Sequence, residues 1–133
     1  MTLTSAETTD GALLKRRRQR LIDAATSDRE LAAAQALVEE ETILARESVL
    51  RALGLLNVPS KANIQWEGLA GRVYSLGLDD EQRAFLGLTL SMVGIGCVTL
   101  AAVTDLGERR LAVMLRAVAR LAGNDTLAVG TRI

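Results

Sequence analysis

Ala84–Thr104, AFLGLTLSMVGIGCVTLAAVT, holds 21 residues without a charged side chain. As one continuous helix it would measure about 31 Å, close to the hydrocarbon thickness of a bilayer. Whether this run spans a membrane or fills a protein core decides the fold, and its surroundings favour the core. Gly87, Gly94 and Gly96, with Thr89, Ser91, Thr99 and Thr104, weaken it as a span relative to a leucine-rich segment. Neither end carries a Trp or Tyr anchor, and Arg83 and Arg109–Arg110 flank it on both sides. Asp79 with Gln82, and Asp105 with Glu108, have the spacing of helix-capping boxes, which suits helices that start and stop inside a packed protein. The expected architecture is all-α: a compact bundle of about five helices around a central apolar helix over 80–104. The alternative is a single-span membrane protein through 84–104.

Four amphipathic segments surround that centre. A first helix is expected from Ala12 to Ala25, with Leu13, Leu14, Leu21 and Ile22 as its apolar residues. Thr26-Ser27-Asp28 interrupts it, and Ser27 with Glu30 forms a third capping-box pattern that opens a long second helix reaching Leu56. Leu31, Ala34, Val38, Ala45, Val49, Ala52 and Leu56 recur along it at threes and fours. Nothing at 26–28 forbids one continuous helix over 12–56. Gly54, Asn57 and Pro59 stop it. Trp66, Leu69, Ala70, Val73 and Leu76 mark a third helix over 64–76, closed by Gly77. After the apolar run, the last helix carries Leu111, Leu115, Val118 and Ala122 on one face and ends at Gly123-Asn124-Asp125. The tail TLAVGTRI is expected to pack back on the helices. Residues 1–10 read as a disordered polar tail and 11–133 as a single helical domain.

Composition excludes more chemistry than it suggests. The 16 basic and 16 acidic residues cancel, so no global field draws the chain to nucleic acid or acidic lipid. Histidine is absent, which removes Ser-His-Asp and Cys-His nucleophiles, His-based zinc sites and the Glu-x-x-His metal sites of helical bundles. Cys97 is the sole cysteine and falls in the apolar run, where burial blunts a thiol. MTLTSAETTD lacks the basic and apolar regions of a signal peptide, and with one cysteine this predicts a reducing, cytoplasmic setting. Only Lys15 and Lys61 among the basic residues are lysine, an arginine bias that fits a GC-rich bacterial genome.

Three patterns are candidates for function. Gly87, Ser91, Gly94, Val98 and Ala101 form a stripe at four-three-four-three spacing, where small residues let another backbone approach. Each helix-interior glycine costs about 0.5–1 kcal/mol relative to alanine, so close packing there would offset a penalty. The partner is either a helix of the same chain or a second copy across a dimer interface. Lys15, Arg16, Arg17, Arg18 and Arg20 could contact phosphates, although consecutive positions spread around a helix and no aromatics are interleaved to stack bases. Their other expected partners are Glu39, Glu40 and Glu41, if the chain folds back at 26–28. Finally, Gly94-Ile95-Gly96-Cys97-Val98-Thr99 resembles a truncated phosphate loop, but it lacks the third glycine and the preceding strand.

The expected function is therefore that of a small, non-enzymatic bacterial interaction, regulatory or scaffold protein that self-associates. Its partner would be a protein or a second copy, with no cofactor and no metal. A nucleic-acid-associated accessory role through residues 15–20 is the alternative.

Overall fold

Gly94 divides the apolar run in two. In the computed structural model, which describes residues 2–56, 64–96, 98–124 and 126–130, the helix over the run covers Asp80–Val93 alone. Gly94 and Gly96 both take positive φ, +91° and +84°, and turn the chain back. Leu100–Asp105 then forms a 3₁₀ helix that packs against the helix just completed. The expected continuous helix over 80–104 is thereby corrected. Two glycines in left-handed conformation close it far more readily than the intervening apolar residues could extend it. No helix among the described residues is long and apolar enough to cross a membrane.

The described residues form six α-helices and no strand: α1 Thr2–Asp23, α2 Asp28–Glu40, α3 Glu47–Leu53, α4 Trp66–Ala70, α5 Asp80–Val93 and α6 Glu108–Leu121. Val73–Ser75 adds a short 3₁₀ turn before α5. The chain is all-α, as its composition and periodicity imply. α1 begins within the polar stretch 1–10 and packs chiefly on α2, which in turn lies against α5 and α6. Leu21, Leu37, Ile43, Leu44, Leu53, Leu69, Phe85 and Leu86 are fully buried in one shared core. Asn57, Pro59, Cys97 and Asp125, to which the sequence assigns helix ends and a core position, lie outside the described residues.

Helix ends follow local chemistry closely where that chemistry is strong. Asp79 and Gln82 make the full reciprocal capping box of α5. At α2, Ser27 Oγ accepts from the Glu30 amide (3.2 Å), but the Glu30 carboxylate turns one residue further back, to the Thr26 hydroxyl (2.7 Å). Asp105 and Glu108 make no box, since α6 starts two residues too late for it, with Gly107 at its N-cap and Glu108 as its first residue. Three helices finish alike. Leu55, Ile95 and Asn124 donate their amides to carbonyls five residues back, around Gly54, Gly94 and Gly123 at positive φ.

The expected helix over 28–56 is two helices. Glu41 is the one described non-glycine residue at positive φ (φ 77°, ψ −45°), and the Thr42 amide donates to the Glu40 carbonyl at 3.0 Å. Together these make a γ-turn of the rare positive-φ form. Helix propensity does not predict this break. Its cause lies in what Glu40 and Thr42 touch across the fold.

Candidate functional site

α2 ends on three consecutive carboxylates, Glu39, Glu40 and Glu41, and α6 answers them with four arginines. Glu40 is wholly buried. Its Oε1 accepts from the Ile43 amide (2.7 Å), and its Oε2 accepts from Arg110 Nε (2.8 Å) and from the Thr42 hydroxyl. That hydroxyl in turn accepts from Gln82 Nε2 (3.0 Å) and Arg110 NH2 (3.2 Å), so its single donor and both lone pairs are used. Arg110 NH1 reaches Glu81 Oε2 at 2.8 Å, and the same oxygen accepts from the Gly107 amide at 3.0 Å. Glu39 is held by Arg116 Nε (3.1 Å) and by Arg120, while Arg109 NH2 donates to the Glu39 carbonyl at 3.1 Å. Arg116 NH1 also donates to the Val129 carbonyl (3.2 Å), so the C-terminal tail does pack back on α6.

This cluster works as a clamp. It fixes the γ-turn, ties α6 to α2 and α5, and neutralises a carboxylate that would otherwise be buried alone. Cations at the carbonyl end of α2 also complement its dipole. The sequence assigned these carboxylates to Lys15–Arg18 instead. In the fold, Arg18 NH2 reaches the Glu41 carbonyl at 3.5 Å and pairs with no carboxylate among the described residues. The partners come from 68 to 81 residues further along the chain, a separation that no local pattern announces. Among the described residues no group of three or more side chains could hold a metal ion.

The clamp gives the fold a pH dependence. Hydrogen bonds from Arg110 and from the Gly107 amide hold the Glu81 carboxyl below its ordinary value of 4.5. Burial alone would lower the Arg110 pKa, but its bonds to Glu81 and Glu40 raise it on balance. A carboxyl whose native pKa is depressed adds stability above its unfolded pKa and loses that contribution as pH falls through the native one. Urea midpoints are thus expected to fall below about pH 4.5, and more shallowly in Glu81→Gln. Identical acid limbs in the two chains would contradict the role given to Glu81.

The small-residue stripe does not persist as one face, because α5 stops at Val93. Gly87 instead receives its own chain. A Cβ built there would lie 2.7 Å from Val98 Cγ2, so the missing side chain makes room for the strand of backbone returning from Gly96. Ser91 Oγ donates to the Gly87 carbonyl (3.0 Å), Gly94 is the left-handed helix end, and Ala101 is exposed on the 3₁₀ helix. The closed intrachain contact at Gly87 corrects the reading of 87–101 as one helical packing stripe.

α6 reverses the other expectation. Its inner face is Val113, Met114 and Ala117, all buried. Leu111, Leu115, Val118 and Ala122, the face assigned to the core, turn outward. Leu115 is 46% exposed and Val118 47%. The helix has apolar residues on two arcs, and burial of one leaves the other in solvent. Periodicity alone selected the wrong arc, because Arg110 belongs to the inward side only by virtue of buried Glu40.

Lys15 and Arg16 are exposed on α1, while Arg17, Arg18 and Arg20 are partly covered. Lys15, Arg16, Arg17 and Arg18 form no ion pair among the described residues, in contrast to the α6 arginines. Comparison with protein-family models, with curated proteins and with solved structures gives no match to this chain.

Proposed function

We propose that the chain is a non-enzymatic interaction module that self-associates through the outward face of α6. One observation carries this reading: Leu111, Leu115, Val118 and Ala122 form an apolar stripe that, among the described residues, nothing covers fully. The occupant is a second copy. A two-fold contact places the same surface on both sides, so it must complement itself. An uncharged apolar stripe does so, whereas a charged one would repel its twin. The arginines of α6 pair to the side with Glu39, Glu40, Glu41 and Glu81, which leaves Glu108, one turn before Leu111, as the one charge bordering the stripe on its own face. Four side chains per copy cover less than the ~1,600 Å² of a standard interface. The dimer is therefore expected to dissociate in the micromolar range or above, about 10⁻⁵ M or weaker.

Sedimentation velocity at about 0.5 M salt, where exposed charges are screened, tests this. The sedimentation coefficient of the wild-type chain should rise with concentration toward that of a dimer. Leu115→Glu with Val118→Glu, both at half-exposed positions, should remain monomeric and folded. A wild-type chain that stays monomeric up to about 1 mM, a concentration matching roughly 4 kcal/mol of association, defeats the proposal.

A further inference from the structure

We infer that the groove between α5 and the 3₁₀ helix Leu100–Asp105 receives α1 of a second copy, with Leu13 on its apolar floor and Arg16 and Arg17 against its acidic rim. The groove encloses about 530 Å³. Ala84, Gly87, Leu90 and Val98 form its floor, Tyr74 one wall, and Asp80 and Asp105 its rim. Tyr74 is 88% exposed and Leu100, on the adjoining 3₁₀ helix, 78%, so apolar surface continues past the groove mouth. Arg83 is already engaged, lying 5.6 Å from the centre of the Tyr74 ring and pairing with Asp80. Asp105 has no ion pair among the described residues, so the rim keeps a free negative charge.

α1 presents the matching chemistry. At 22 residues it is about 33 Å long. Leu21 anchors it in the core, and of its side chains from residue 11 onward only that one is fully buried. Leu13 is 40% exposed. Arg16 and Arg17 lie three and four residues on, on the same helical face. Neither has a carboxylate partner among the described residues. A leucine flanked by free cations fits an apolar floor bordered by carboxylates. Within one chain α1 packs chiefly on α2, so a second copy supplies the helix.

This contact is ionic where that of α6 is apolar, and salt separates them. At about 50 mM salt, Leu115→Glu/Val118→Glu should still associate, and raising the salt to about 0.5 M should weaken that association at least tenfold. In this background Arg16→Glu/Arg17→Glu and Asp105→Arg should each weaken it at least tenfold. Combining them should restore it to within about threefold of the parent, because the charges have exchanged sides. Gln at 16 and 17 serves where Glu disturbs α1, and circular dichroism confirms folding. Absence of low-salt association, single reversals without effect, or a combination that fails to restore binding would each overturn the assignment. So would tighter binding of a single-stranded oligonucleotide of about 20 nucleotides than of a second copy, which would assign the cations to phosphate.

Discussion

Arg110→Ala is expected to destabilise the chain by about 3–5 kcal/mol, the usual cost of leaving a buried charge without its partner. For a chain of this size that corresponds to roughly 10–20 °C in Tm. The magnitude rests on Glu40, which is fully buried and has Arg110 as its ion-pair partner. Most of the loss is the penalty on the abandoned carboxylate rather than the worth of the pair. A double replacement, Glu40→Met with Arg110→Met, should therefore recover much of the stability, since it removes both charges and keeps volume. The Thr42 hydroxyl would keep its bond from Gln82. Thermal unfolding of the three chains gives the comparison. A loss below about 1 kcal/mol in Arg110→Ala, the range of exposed pairs, would show that the clamp is a surface ion pair and nothing more.

Gly87→Leu should have a comparable effect, about 3 kcal/mol or more, for a different reason. There is no space for even a Cβ at this position, because Val98 Cγ2 occupies it. Val98 is branched at Cβ and has few rotamers to retreat into. The return segment would have to lift from α5, opening the groove and exposing Leu90. Gly87→Ala with Val98→Ala should be much milder than Gly87→Ala alone, as the second change removes the colliding methyl. Near-additive losses in the double variant would contradict the intrachain contact.

What sequence made legible is local, and what it missed is long-range. The capping box at Asp79 and Gln82, the Ser27 cap and the closing glycines Gly54 and Gly123 follow from a few neighbouring residues, and all form. Gly94 carried the same signal as Gly54. The apolar run continues on both sides of Gly94, and that continuity masks the stop signal. The break at Glu41 had no local marker at all, since it depends on Arg110 and Gln82 meeting Glu40 and Thr42. That same distant contact orients α6. The stripe Leu111–Ala122 was visible as an apolar face, but its exposure follows from which arc of α6 Glu40 attracts. The basic run was legible as charge, and only the fold shows that α6, not α1, neutralises the Glu39–Glu41 cluster.

The most direct measurement is a dilution series followed by ¹H–¹⁵N correlation spectra of the full chain, from about 1 mM to the low micromolar range. Self-association through α6 predicts concentration-dependent shifts centred on Leu111, Leu115, Val118 and Ala122 at about 0.5 M salt, with the amides of Val113, Met114 and Ala117 moving less. Spectra that superimpose across the series, or shifts that spare α6, would contradict the proposed function.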